Sequence, residues 1–230
     1  MENTGTNGEL TCACSCRTGR VYVGTADGRV LQLAANAATE SGRALSCVHW
    51  ELRLCPESVT ASVASAVFSV CGVEAQDKST LLLVGSASGE LVVLREELEL
   101  RRFQLESAVQ QICYDRDGAF IVGDMLGNLY GVTQYEILWM KPLPAIASEG
   151  IECFYPPVAE PTVKAIAHAK LLDVEKTRSN YFLVATGQKY LLVTHRGKDF
   201  GVIPTQTPIE ILASIPDGDE DIVLAAAENG

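Results

Sequence analysis

Short apolar runs broken by paired glycines recur along this chain, and one arrangement repeats closely. Val21-Tyr-Val-Gly24-Thr-Ala-Asp-Gly28-Arg-Val30-Leu-Gln-Leu33 is matched by Leu81-Leu-Leu-Val84-Gly85-Ser-Ala-Ser-Gly89-Glu-Leu91-Val-Val-Leu94. A third copy reads Ala119-Phe-Ile-Val122-Gly123-Asp-Met-Leu-Gly127-Asn-Leu129-Tyr-Gly-Val132. Apolar, β-rich runs of this length suit strands covered on both faces. The second glycine falls in the connecting turn, where a positive φ is often required. Asp27-Gly28 between two such runs is a strong hairpin signal. Each copy therefore predicts the central hairpin of a small antiparallel sheet.

Two weaker copies follow. Tyr181-Phe-Leu-Val-Ala185-Thr-Gly-Gln-Lys189-Tyr-Leu-Leu-Val193 keeps both runs but has Ala185 and Lys189 in the glycine places. Asp221-Ile-Val-Leu-Ala-Ala226-Ala-Glu-Asn-Gly230 keeps the first run and the closing glycine. The second glycine places advance by about 60, 40, 60 and 40 residues, against about 40 for a four-stranded propeller blade. The long steps predict insertions near 34–57, which holds Cys47, His49 and Trp50, and near 145–161, a proline-rich stretch. Flanking strands are expected at 108–114 and 210–215, each followed by an acidic, glycine-bearing turn. Residues 96–105 fit either a charged outer strand or a short helix, with charge pairs four apart leaning weakly to helix. The fold class read from this pattern is all-β: a β-propeller or partial propeller of about five blade units, the ring either whole or incomplete. Residues 1–19 form an N-terminal strand segment and 20–230 the repeats.

Composition narrows the functions. The 230 residues carry 18 Lys and Arg against 29 Asp and Glu, a formal charge of −11. Nucleic-acid affinity depends on positive charge, so this balance argues against such a partner. No apolar stretch reaches the length needed to cross a bilayer. The first ten residues are polar and lack the basic, then apolar, pattern of a signal peptide, so the chain reads as intracellular and cytoplasmic. The eight cysteines sit mostly in apolar runs and read as reduced core thiols.

At the repeat residues the sequence resembles the WD-like, quinoprotein-like and FG-GAP-like propeller families. Gly127-Asn-Leu-Tyr-Gly-Val132 followed by Ile137-Leu-Trp139 resembles the quinoprotein repeat, in which a tryptophan near the outer strand packs between blades. Gly218-Asp-Glu-Asp-Ile-Val-Leu224 resembles an eroded FG-GAP repeat. The mixture is similar to the propellers of BBSome subunits in ciliary trafficking. It is also similar to FG-GAP-repeat and kaptin-like subunits of a lysosomal nutrient-signalling complex. The resemblance implies a scaffold. The Gly-His and Trp-Asp pair of typical WD repeats is missing, and so is the acidic, metal-bound quinone set of quinoprotein dehydrogenases.

Several constellations invite chemistry. Cys12, Cys14 and Cys16 alternate and share one face of a strand, but their spacing differs from zinc patterns, which favours core packing. Asp217, Asp219 and Asp221 alternate as in a calcium loop, yet apolar strand residues follow at once and the oxygen count is short; a solvated acidic turn is the expectation. His49, His168 and His195 are scattered. Gly85-Ser-Ala-Ser-Gly89 fails the nucleophile-elbow frame, and no Gly-Lys-Ser/Thr follows any glycine pair. The sequence therefore offers no catalytic, cofactor-binding or metal-binding set.

The expected function is a non-enzymatic protein–protein interaction scaffold within a larger complex, of ciliary-trafficking or nutrient-signalling type, whose acidic surface suits basic partner segments. The alternative is a quinoprotein-like cofactor-binding or enzymatic propeller. An open sheet edge invites completion by residues 10–16 or by another chain.

Overall fold

A computed structural model describes residues 9–16, 19–33, 48–54, 66–75, 77–144, 160–172, 178–217 and 219–227. Cys47, Cys55, Cys153, Gly218, Gly230 and most of the 145–161 insertion lie outside them. The chain forms two compact units, Met1–Ile112 and Cys113–Gly230. Among the described residues every regular element is a β-strand.

In the first unit, β1 (Leu10–Ser15), β2 (Val21–Thr25), β3 (Arg29–Leu33) and β4 (Val48–Arg53) pair in that order. A second sheet has β5 (Val67–Glu74), β6 (Thr80–Ser86), β7 (Glu90–Arg95) and β8 (Leu98–Gln104) in order. The unit boundary falls within β9 (Val109–Tyr114). This strand heads a third sheet with β10 (Phe120–Asp124), β11 (Asn128–Val132) and β12 (Ile137–Pro142). The second unit continues with a sheet of β13 (Ala165–Leu172), β14 (Arg178–Ala185), β15 (Tyr190–His195) and β16 (Lys198–Pro204). It then forms a two-stranded sheet of β17 (Ile209–Asp217) and β18 (Glu220–Ala227). Four sheets of four strands, each an antiparallel meander, are propeller blades in build.

The hairpins read from the sequence are β2–β3, β6–β7, β10–β11 and β14–β15. Their turns show why the pattern repeats. Gly28, Gly89 and Gly127 adopt φ of 83°, 84° and 83°, which only glycine tolerates cheaply. Each donates its N–H back to the carbonyl of Thr25, Ser86 or Asp124. The same three residues use their side chains as well. Thr25 Oγ1, Ser86 Oγ and Asp124 Oδ1 accept the N–H of Arg29, Glu90 and Asn128 at 2.9, 3.1 and 2.8 Å. These buried side chains thus satisfy a backbone donor that would otherwise be costly to bury. In the fourth copy the positive φ moves to Gly187, at 68°, which is why Lys189 is tolerated.

The first glycine of each pair has a different purpose, which the sequence pattern did not disclose. A Cβ on Gly24 would lie 2.5 Å from Val67 Cγ1, and one on Gly123 would lie 2.5 Å from Val163 Cγ1. Gly85 meets Val109 in the same way. Each glycine is a socket on one sheet that receives a valine at or just before the first strand of the next. In the fourth sheet Ala185 fills the socket place, and Ile209 packs in one cluster with Ala165, Ala185 and Leu191.

Burial follows position in the sheet. β6, β10 and β11 are buried throughout, whereas β8 and β16 are almost wholly exposed. Residues 48–53, within the stretch read as an insertion, form β4, the outermost strand of the first sheet. Residues 96–105 are a turn and an outer strand, not a helix. Glu96 and Glu97 take φ of 46° and 71°, which closes a tight hairpin into β8. Charge pairs worth a few tenths of a kcal/mol do not compete with a ladder formed on the buried strand β7. β1 pairs with β2 as the first strand of the first sheet.

Candidate functional site

In the second unit the third and fourth sheets border a cleft of about 370 Å³. The β9–β10 turn brings Asp115 and Asp117 to it, β12 brings Leu138 and Trp139, β14 brings Asn180 and Phe182, and the end of β15 and the turn after it bring His195 and Arg196. A single apolar wall is therefore ringed by two carboxylates, a guanidinium, an imidazole and an amide.

Trp139 sits where the resemblance placed it, on the outer strand between sheets. Its ring occupies the space above Gly131 and lies beside Gly197, where a Cβ would stand 3.1 Å from the indole. The ring requires glycine at Gly131, where a Cβ would stand 2.3 Å from it, whereas Gly197 is set first by its φ of 80°. The polar rim is fixed from within. Asp115 Oδ1 accepts the N–H groups of Asp117 and Ala119 at 2.7 and 2.9 Å, and Asn180 Nδ2 donates to Asp117 Oδ2 at 3.3 Å. His195 stacks edge-on with Tyr181 and Phe200. Lys141 on β12 pairs with Asp199 on β16 and donates to Thr194 Oγ1. Such a cleft suits recognition of an amphipathic segment.

The residues weighed from the sequence fall as follows. Cys12, Cys14 and Cys16 share one face of the first sheet and join the core packed on β5, with Val67, Val70 and Leu82. Burial pushes the Cys14 thiol up to about 12, with its cysteine neighbours adding to the effect. Burial also raises Cys12 and Cys16. These are protonated packing groups. Cys12, Cys14, Cys16, Cys71 and Cys113 are free thiols.

Asp217, Asp219 and Asp221 do not act as a set. The Asp221 carboxylate is buried, with one oxygen 3.3 Å from Arg116 and accepting the Lys170 N–H at 2.9 Å. Asp217 and Asp219 lie exposed on the turn. Among the described residues, no three His, Cys, Asp or Glu side chains converge as a metal would require.

His49 lies exposed on β4, and His168 and His195 lie on separate strands of the fourth sheet. His168 is buried against Phe182 with neither ring nitrogen hydrogen-bonded. Burial, and then Arg116, hold its basicity below the ordinary imidazole value, against the opposing pull of Asp115, Asp221 and Asp117. Of the Gly85–Gly89 serines, Ser86 ends β6 and Ser88 lies in the turn, their hydroxyls 2.8 Å apart.

Exposed apolar side chains concentrate on outer strands, Leu138 at the cleft itself and the others beyond it. Leu98 and Leu100 stand on β8, Leu138 and Met140 on β12, and Phe200, Val202 and Ile203 on β16. A second group lies on β17 and β18: Ile211, Ile215, Ile222 and Leu224.

Repeated four-stranded meanders, stacked through glycine sockets, define a β-propeller protein. Solved structures agree. The chain is similar to BBS1N, crystallised in complex with ARL6DN, with a TM-score of 0.68 at 17% identity. The alignment covers 98% of this chain and 64% of that one. It is also similar to the WD40 β-propeller domain of Doa1, with a TM-score of 0.64 at 14% identity, covering 98% and 64%. The chain thus spans just under two thirds of each. No family model matches the sequence, and no curated protein matches it. Among the described residues no helix is long and apolar enough to cross a membrane.

Proposed function

We propose that this chain is a non-enzymatic protein-interaction module that acts inside a larger assembly. The observation that carries the reading is the exposure of Phe200, Val202 and Ile203 on β16 and of Leu138 and Met140 on β12, the outer strands of the two sheets that border the amphipathic cleft. Contiguous exposed apolar side chains with a polar rim mark surfaces that bind other proteins. A stiff sheet frame presents such side chains without further ordering cost.

The likeness to a propeller crystallised with a protein partner supports the same reading. The larger assembly is of ciliary-trafficking or nutrient-signalling type. The acidic charge of −11 favours partners with basic segments, and the site of action is the cytoplasm or a membrane reached through the complex.

Affinity purification of the tagged chain from cells tests this. A protein partner recovered in fixed stoichiometry, and released by raised salt if its basic segments dominate, is expected. Recovery of the chain alone would overturn it.

A further inference from the structure

The cleft of the second unit sorts its charges by sign. Asn180 on β14 donates to Asp117 Oδ2, which fixes the β9–β10 turn, at the β9 edge of the third sheet, against β14. Trp139 on β12, the opposite edge of that sheet, lies beside Gly197 in the β15–β16 turn. Lys141 and Asp199 tie the same two segments. Asp115 and Asp117 therefore mark one end of the cleft and Arg196 the other, with Leu138, Trp139 and Phe182 as apolar wall. β14 and the β15–β16 turn stand one to two strand spacings apart, about 5–10 Å. Roughly two or three residues of extended chain span that distance.

These end charges are not answered within the chain. Their neighbours Arg116 and Lys141 pair with Asp221 and Asp199. Among the described residues, Asp115, Asp117 and Arg196 make no ion pair. Arg196 takes a φ of 47°, a conformation that glycine, asparagine or aspartate adopts at less cost. Glu96 holds the matching place in the β7–β8 turn, at φ 46°, and its carboxylate pairs with Arg20 at 3.2 Å. The guanidinium of Arg196 has no such use. Asp117 and Arg196 are both exposed. A Cβ on Gly118 would meet open space, so the acidic turn can be approached from outside.

We infer that the cleft takes an extended peptide segment of a partner protein in which a basic and an acidic residue flank one or two apolar ones. The basic side chain meets Asp117, the apolar ones cover Leu138 and Trp139, and the acidic one meets Arg196. Opposite charges at the two ends set the register of the segment, and the apolar wall supplies most of the affinity. A wholly basic segment would answer the formal charge of −11 but would set a cation against Arg196. This rests on the reading of the chain as an interaction module, and it fails separately: a cleft that selects no peptide leaves recovery of a partner through β16 untouched.

The test is selection of random displayed heptapeptides on the whole chain, then titration of the selected peptide carrying a fluorophore. The expected consensus has one basic and one acidic position on either side of apolar ones, in either chain direction. Arg196→Glu should weaken binding of the selected peptide by roughly fivefold, the scale of an exposed ion pair turned to repulsion. Replacing the acidic residue of the peptide with lysine should restore binding to that variant. Asp117→Lys should act in the same way on the basic residue, restored by glutamate in the peptide. Thermal unfolding checks that the variants remain folded, and if Asp117→Lys does not, Arg196→Glu and its rescue decide alone. A wholly basic consensus, no consensus, or a selected peptide bound equally by wild type and Arg196→Glu would overturn the inference.

Discussion

Gly24 faces Val67 so closely that a methyl group on the glycine would stand 2.5 Å from Val67 Cγ1. The same relation holds for Gly123 and Val163. Steric need, not turn geometry, places a glycine at these strand positions, as expected where another chain segment approaches closely.

Gly24→Ala is therefore expected to destabilise the first unit by about 1–3 kcal/mol, the usual cost of overpacking a filled core. Adding Val67→Ala should recover part of that loss, because it removes the clashing methyls. Urea unfolding midpoints of the two single variants and the double variant check the coupling. Strict additivity would refute the socket.

Turn glycines separate by surroundings. Gly127 at φ 83° has the Pro161 carbonyl in the path of a Cβ, whereas Gly118 at φ 106° has open space. Gly118→Ala should cost about 1–2 kcal/mol, the strain of the left-handed backbone alone. Gly127→Ala should cost distinctly more. Equal shifts in thermal midpoint would contradict the difference.

The thiols offer a chemical readout. With Cys14 and Cys113 both pushed up to about 12, the latter mainly by burial, iodoacetamide at about pH 8 should alkylate them slowly until the chain unfolds. The native thiols keep their protons above the ordinary value of 9.0. The unfolded chain therefore loses protons first, and stability should fall as pH rises from 9 toward 12. Rapid labelling of Cys14 in the folded protein would show that it is not core.

His168 acts at the other end of the scale. Its native pKa is lowered from 6.5, so the unfolded chain binds the extra proton, and stability should decline as pH falls through 6.5 and below. His168→Leu removes a buried group without hydrogen bonds, so it should flatten that acid limb without loss of stability at neutral pH. Chemical denaturation at a series of pH values reads the slope.

The hairpins were legible because a positive-φ glycine and an apolar run on either side are local properties. Gly28, Gly89 and Gly127 announce their turns within a few residues. The sockets were not read. Gly24 lies next to the end of β2, and Val67, which demands it, follows more than a blade-length later in the chain. That position alone was the available signal. Strand β4 was hidden because an exposed outer strand such as Val48–Arg53 lacks continuous apolar character. The cleft could not be foreseen, since Asp117, Trp139, Asn180 and Arg196 come from separate segments. The 115–118 turn was read from its acidic, glycine-bearing pattern, and Trp139 through the resemblance to the quinoprotein repeat, though neither as part of a cleft.

The outer-strand surface supplies the direct test of function. Phe200→Asp combined with Ile203→Asp changes two exposed side chains of β16, so the unfolding free energy should stay within about 1 kcal/mol of wild type. Quantitative affinity purification of this variant beside wild type is the deciding measurement. The account predicts that a stoichiometric protein partner, present with wild type, is lost or much reduced with the variant. Undiminished partner recovery by the folded variant would contradict it.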